Sequence, residues 1–223
     1  MTDKQDGGKL WVFGDSLSTG YNLNSTQISW PEILASKLSL MLCNFAQPAV
    51  DNFYIYQSVM QFLPDIKSTD SVVIGWSHPN RKVFALDMLN PLHTSIVDQS
   101  LVYQSHGRDF FRYNGTTRTK EKHLLPQTSG IDFFDHWFQN YFNSFEQRIM
   151  FQAMLDSIKS RLPTHIQFFF SKESITGIDT QSSDQLCAVD FIIRNKQYIS
   201  KNDLHFNANG HKAWADLLMQ KLT

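Results

Sequence analysis

The sequence predicts an α/β fold built on a central parallel sheet, and the order of elements in its first eighty residues is the main reason. "KLWVFG" (9–14) is a short apolar run closed by glycine, as a buried strand would be. "SWPEILASKLSLML" (29–42) then reads as a helix, "LCNFA" (42–46) as a strand, "VDNFYIYQSVMQFLP" (50–64) as a helix and "SVVIGW" (71–76) as a strand rich in β-branched residues. Strands separated by helices cannot pair as hairpins; they pair in parallel through right-handed crossovers. The first helix carries clear start signals, because Ser29 and Glu32 have capping-box spacing and Pro31 falls in the first turn, where its missing N–H costs nothing. Ile33, Leu34, Leu38 and Met41 form its predicted apolar stripe.

Later elements are less regular. Residues 80–130 read as a loop-rich insert with a basic middle, "GRDFFRYNGTTRTKEK" (107–122). Residues 131–162 read as one long helix or two, with Phe133, Phe134, Trp137, Phe138, Tyr141, Phe142 and Phe145 at helical spacing, and Pro163 ends them. "IQFFFS" (166–171) is the fourth predicted strand, 172–201 is ambiguous, and 207–222 is a terminal helix with Ala213, Leu217 and Leu218 on one side. The first eight residues are polar and read as a frayed terminus; no repeat or interdomain linker is visible.

Composition bounds the function. A chain of 223 residues suits one domain with a substantial core. A net charge of −1 lacks the basic excess of a nucleic-acid surface. No apolar run reaches the roughly 18–20 residues of a membrane span, and the opening "MTDKQDGGKLWVF" lacks a secretory pattern. Cys43 and Cys187 read as free thiols, so the expected setting is cytoplasmic and the N-x-Thr matches at Asn24 and Asn114 read as chance. The eight histidines show no metal-ligand spacing, and "GDSLSTG" lacks the Gly-Lys-Ser/Thr ending of a phosphate loop; neither a metal nor another cofactor is expected.

The candidate chemistry starts at Ser16, just past the first strand. A serine hydroxyl is a weak nucleophile and needs a base in reach, a group that orients the base, and donors for the developing oxyanion. Ligands of open α/β sheets bind beyond the carboxyl ends of the strands, so the base must reach that edge. "KNDLHFNANGHKAWADLL" offers His205 in a short polar loop, with Asp203 two and Asn202 three residues before it. Taken alone, this stretch reads equally as a turn and helix cap. His211 competes as base, but its place inside the terminal helix suits a structural or capping role.

Taken together, "FGDSLSTGY" and "DLHFNANGHKAWA" resemble the paired end motifs of the SGNH/GDSL hydrolase family. Gly14, Asp15, Ser16 and Leu17 match the family's opening block. His205 to Gly210 match its His-Pro-Asn-x-x-Gly closing block, with Phe206 where Pro is usual. "WPEIL" also looks like family usage, and the resemblance covers about 9–77 and 198–222. It implies a flavodoxin-like three-layer α/β/α sandwich and a metal-free serine esterase working through an acyl-enzyme. The implied substrate is a short-acyl ester of a small molecule, glycan or lipid.

Three departures stand out. The family's second-block glycine N–H falls nearest Ala49 or Val50. Aligning Gly75 to the third block, Gly-x-Asn-Asp, puts Ser77 on the oxyanion Asn, with Asn80 as an alternative donor. The family's Asp-x-x-His spacing lands on Asn202; Asp203 is preferred because neutral Asn cannot balance an imidazolium. The expected site is therefore Ser16, Asp203 and His205, with an oxyanion hole from Ser16, Ala49 and Ser77. The "GWSHPNR" third block is similar to SGNH-type proteins of tailed bacteriophages, which would allow a virion location. The alternative function is a non-catalytic or weakly active glycan or virion binding module on the same fold. Residues 80–130 leave the end of the third strand, so they are expected to form a rim beside Ser16 that influences substrate choice. Oligomeric state is not legible.

Overall fold

A computed structural model describes residues 8–21, 23–48, 50–79, 81–86, 102–105, 108–114, 143–162, 164–180, 185–201 and 203–222. The main sheet contains β1 (Lys9–Phe13), β2 (Met41–Asn44), β3 (Ser71–Gly75), β7 (Ile166–Phe169) and β8 (Leu186–Cys187) in the order β2-β1-β3-β7-β8, with every pairing parallel. Counting only these strands the order is 2-1-3-4-5, the flavodoxin-like arrangement, whose switch point lies between β1 and β3.

Period-2 alternation sends each strand's side chains to two separate cores. Trp11, Phe13, Val72, Ile74 and Phe169 point to one face, where α2 (Asn52–Phe62) and α3 (Ser144–Arg161) bury Tyr54, Ile55, Val59, Phe151, Leu155 and Ile158 against them. Leu10, Val12, Val73 and Phe168 point to the other, covered by α1 (Trp30–Leu38), α4 (Ala188–Arg194) and α5 (Ala208–Leu222) through Leu34, Ile192, Trp214 and Leu218. This is the three-layer α/β/α sandwich that the end motifs imply.

Several elements differ from the sequence reading. The first helix stops at Leu38 because Ser39 turns into the left-handed region (φ 55°), which frees Met41 to begin β2. Met41 is therefore 57% exposed instead of lying on a helical stripe. The insert is not simply loop-rich: β4 (Arg81–Leu86), β5 (Val102–Ser105) and β6 (Arg108–Asn114) form an antiparallel sheet, with Ser105 opposite Arg108. The rest of 107–122, and the aromatic run 133–142, lie outside the described residues. Phe145, at the start of α3, is 69% exposed, so it does not join a buried aromatic face. The ambiguous 172–201 region supplies β8, α4 and β9 (Tyr198–Ser200), and β9 pairs with β10 (Asp203–Phe206). His205 thus sits on a strand of a two-stranded ribbon, not in a loop.

Gly75 closes β3 under the ring of Phe168. A Cβ there would come within 2.3 Å of the Phe168 ring tip, far inside van der Waals contact. Overpacking of this kind costs about 1–3 kcal/mol. Gly75→Ala is expected to lower unfolding free energy by that amount in urea titration, and Gly75→Ala with Phe168→Leu to recover part of it.

Candidate active site

The turn after β1 presents Ser16. Asp15 caps a 3-10 turn (Ser16–Ser18) by accepting the Leu17 N–H at 3.0 Å, and Ser16, as its first residue, has an N–H with no partner inside the turn. Ser16 is 9% exposed. Its Oγ lies 2.8 Å from His205 Nε2, and His205 Nδ1 lies 2.6 Å from Asp203 Oδ1, which also accepts the His205 backbone N–H at 3.1 Å. The carboxylate fixes the tautomer: Nδ1 carries the proton, leaving Nε2 to accept one from Ser16. The structure thus brings Ser16, His205 and Asp203 together; Asn202 lies outside the described residues.

The β9–β10 ribbon is held by the closing motif. Asn207 caps α5 by accepting the Gly210 N–H at 2.8 Å and donates to the Tyr198 carbonyl at 3.2 Å. Phe206, where proline is usual in the resemblance, is buried between His211 and Trp214, with ring centroids 5.3 and 5.5 Å away. Its bulk fills the core beneath the ribbon.

His211 does not reach the nucleophile. Its Nδ1 accepts the Trp30 backbone N–H at 3.1 Å, capping α1, while the Trp30 indole donates to the Leu17 carbonyl at 2.8 Å. Burial pushes the His211 pKa down to about 4, opposed by Glu32 and reinforced by His205. The capping role expected for it is thus a cap on α1, a different helix from its own.

On the other side of Ser16 lies a buried polar cluster that the motifs did not anticipate. Arg81 Nη1 donates to Asp15 Oδ2 and to Ser77 Oγ, each at 2.8 Å, and Ser77 Oγ donates to Asp15 Oδ2 at 3.0 Å. The Ser77 N–H donates to Asn52 Oδ1 at 2.7 Å. Both donors of Ser77 are therefore committed inside the protein, and the hydroxyl expected to help an oxyanion is turned to Asp15. Ala49 and Asn80 lie outside the described residues. Sequence reasoning missed Asn52 and Arg81. The available clue was that an aspartate buried beside a strand end requires a cationic or donor partner. It also missed Tyr21, whose ring lies 4.5 Å from that of His205 at the rim. Among the described residues, no three His, Cys, Asp or Glu side chains gather as a metal site. None of the described helices is long and apolar enough to cross a membrane.

No protein-family model and no curated protein matches the chain. Solved structures do. The psychrotrophic esterase EstA from Pseudoalteromonas sp., inhibited by monoethylphosphonate, is 11% identical; the match covers 96% of this chain and 95% of the esterase, with a TM-score of 0.51. A member of the lipolytic protein G-D-S-L family from Veillonella parvula is 8% identical over 97% of this chain and 100% of its own, also with a TM-score of 0.51. The likeness shows a shared α/β fold.

Two outcomes follow from the site's electrostatics. Arg81 is the countercharge of a carboxylate that is 2% exposed, so Arg81→Met is expected to cost about 3–5 kcal/mol in chemical denaturation. Asp15→Asn in the same chain should restore part of that loss. Below pH 6.5 the unfolded chain protonates His211 while the folded chain does not, so stability falls as pH drops from about 6.5 to about 4 and levels off below. In His211→Asn the fall in denaturation midpoint between pH 8 and pH 4.5 should be smaller than in the parent protein.

Proposed function

We propose that the protein is a serine ester hydrolase of the SGNH/GDSL type. The observation that carries the reading is the continuous line Ser16 Oγ–His205 Nε2 and His205 Nδ1–Asp203 Oδ1, at 2.8 and 2.6 Å. It joins residues 189 positions apart at the carboxyl edge of the sheet. The fold shared with structures described as an esterase and a G-D-S-L lipolytic protein adds support.

In this mechanism Ser16 Oγ attacks the ester carbonyl carbon as its proton passes to His205 Nε2, and Asp203 stabilises the imidazolium. The carbonyl electron pair moves onto oxygen. It is received by the Ser16 N–H and, in our proposal, by the N–H of Ala49; Ser77 joins only by releasing Asp15. When the pair returns, the C–O bond to the alcohol breaks and His205 delivers its proton to the departing oxygen. Water, deprotonated by the same imidazole, then attacks the acyl-Ser16 carbonyl, releasing the carboxylic acid and regenerating the hydroxyl.

A fluorophosphonate probe should label Ser16 in the parent protein and leave Ser16→Ala unlabelled. Asp203→Asn is expected to reduce p-nitrophenyl acetate turnover by about 10⁴-fold. Absence of labelling and of turnover in the folded parent protein would instead favour a binding module on this fold.

A further inference from the structure

A small pocket opens between α2 and α3, beside the loop that follows β3, and the proposed mechanism does not yet use it. Its polar wall includes Asn52 and Arg81, and its apolar wall Phe53, Met150, Phe151 and Met154. We propose that this pocket receives the acyl part of the substrate, and that it suits an uncharged acyl chain longer than acetyl that carries an oxygen acceptor. The proposal rests on the serine-hydrolase reading above.

Position is the first argument. α2 follows the parallel strand β2 and α3 precedes β7, so both helices begin at the carboxyl edge where Ser16 stands. His205 approaches from the opposite layer: its neighbour Phe206 belongs to the core shared with α1, α4 and α5, whereas Phe151 and Met154 belong to the core shared with α2. The departing alcohol must lie against His205 Nε2, which protonates it. The remaining substituent of the carbonyl carbon is then directed away from His205, toward the α2–α3 layer. Arg81 links the two places, because its guanidinium is bonded to the side chain of Asp15, the residue before the nucleophile.

Chemistry is the second argument. Asn52 presents Oδ1 to the Ser77 N–H, so its Nδ2 donors are turned elsewhere. Arg81 is 10% exposed, and its Nε is buried without a partner. Unpaired donors in a pocket wall match an acceptor oxygen on the chain. They do not call for a carboxylate, since Asp51 also lines the pocket and Asp15 already neutralises Arg81. Methionines in the apolar wall adapt to chains of differing shape.

The test compares kcat/KM for p-nitrophenyl acetate, pentanoate and 4-oxopentanoate in the parent protein, Met150→Trp and Phe53→Trp. Met150 and Phe53 are 43% and 45% exposed, so both changes narrow the pocket mouth with little effect on the core. A methylene bound in an apolar pocket is worth roughly 10–200-fold in specificity. Pentanoate should therefore exceed acetate by about 10-fold or more. The 4-oxo ester should match or exceed pentanoate, and either tryptophan should reduce the pentanoate-to-acetate ratio by about 10-fold. If acetate is hydrolysed and Ser16 is labelled but the ratio is flat or unmoved by both variants, the acyl assignment is overturned and the hydrolase reading stands. If the oxo ester is about 10-fold worse than pentanoate, the acceptor role of the polar wall is overturned. If tryptophan instead changes selectivity among alcohols at a fixed acyl group, the pocket belongs to the leaving group. If no ester is cleaved and Ser16 is unlabelled, both readings fall together.

Discussion

The buried carboxylate of Asp15 is the constraint on which the site depends. It is 2% exposed and accepts from the Leu17 N–H, the Ser77 hydroxyl and the Arg81 guanidinium. A buried charge needs such partners, and each partner here comes from a different place. Leu17 shapes the turn that exposes Ser16. Ser77 fixes the loop beyond β3, and Arg81 anchors the first residue of the inserted antiparallel sheet. One ionised group therefore ties the nucleophile turn, the switch point and the insert into a single arrangement.

A second set of bonds ties the same turn to the opposite layer. Trp30 donates its indole N–H to the Leu17 carbonyl and its backbone N–H to His211, while Phe206 packs against His211. The nucleophile turn, the start of α1 and the ribbon carrying His205 are therefore positioned by common neighbours. Preorganisation of this kind lets a serine–histidine bond form at 2.8 Å between groups supplied by the two ends of the chain. The substitution of Phe206 for the usual proline fits this scheme, since the ring supplies core volume where the ribbon meets α5.

The two faces of the sheet divide the labour of the proposed reaction. The α1–α5 face delivers the imidazole, and the α2–α3 face offers a pocket with unpaired donors and apolar walls. The sheet edge between them holds the hydroxyl. Ser77, standing where the resemblance places an oxyanion asparagine, belongs to the scaffold: its N–H and hydroxyl both serve Asn52 and Asp15. This shifts the proposed oxyanion contacts onto backbone N–H groups.

Local pattern in the sequence determined the strands β1 to β3, the first two helices and the terminal helix, because each carries its own apolar periodicity and start signals, such as Ser29 with Glu32. It also determined which serine, histidine and aspartate were candidates, since those residue types are short-range chemistry at two motif-bearing ends. Tertiary structure decided the rest. The β9–β10 ribbon and the β4–β6 sheet depend on pairing between segments, which periodicity within one segment does not encode. The helix end at Ser39 depended on a single left-handed residue with no glycine to announce it. The role of Ser77, the partners of Asp15 and the pocket beside Arg81 became visible only once residues 15, 52, 77 and 81 met in space. Burial turned an ordinary motif aspartate into a charge that the fold had to satisfy.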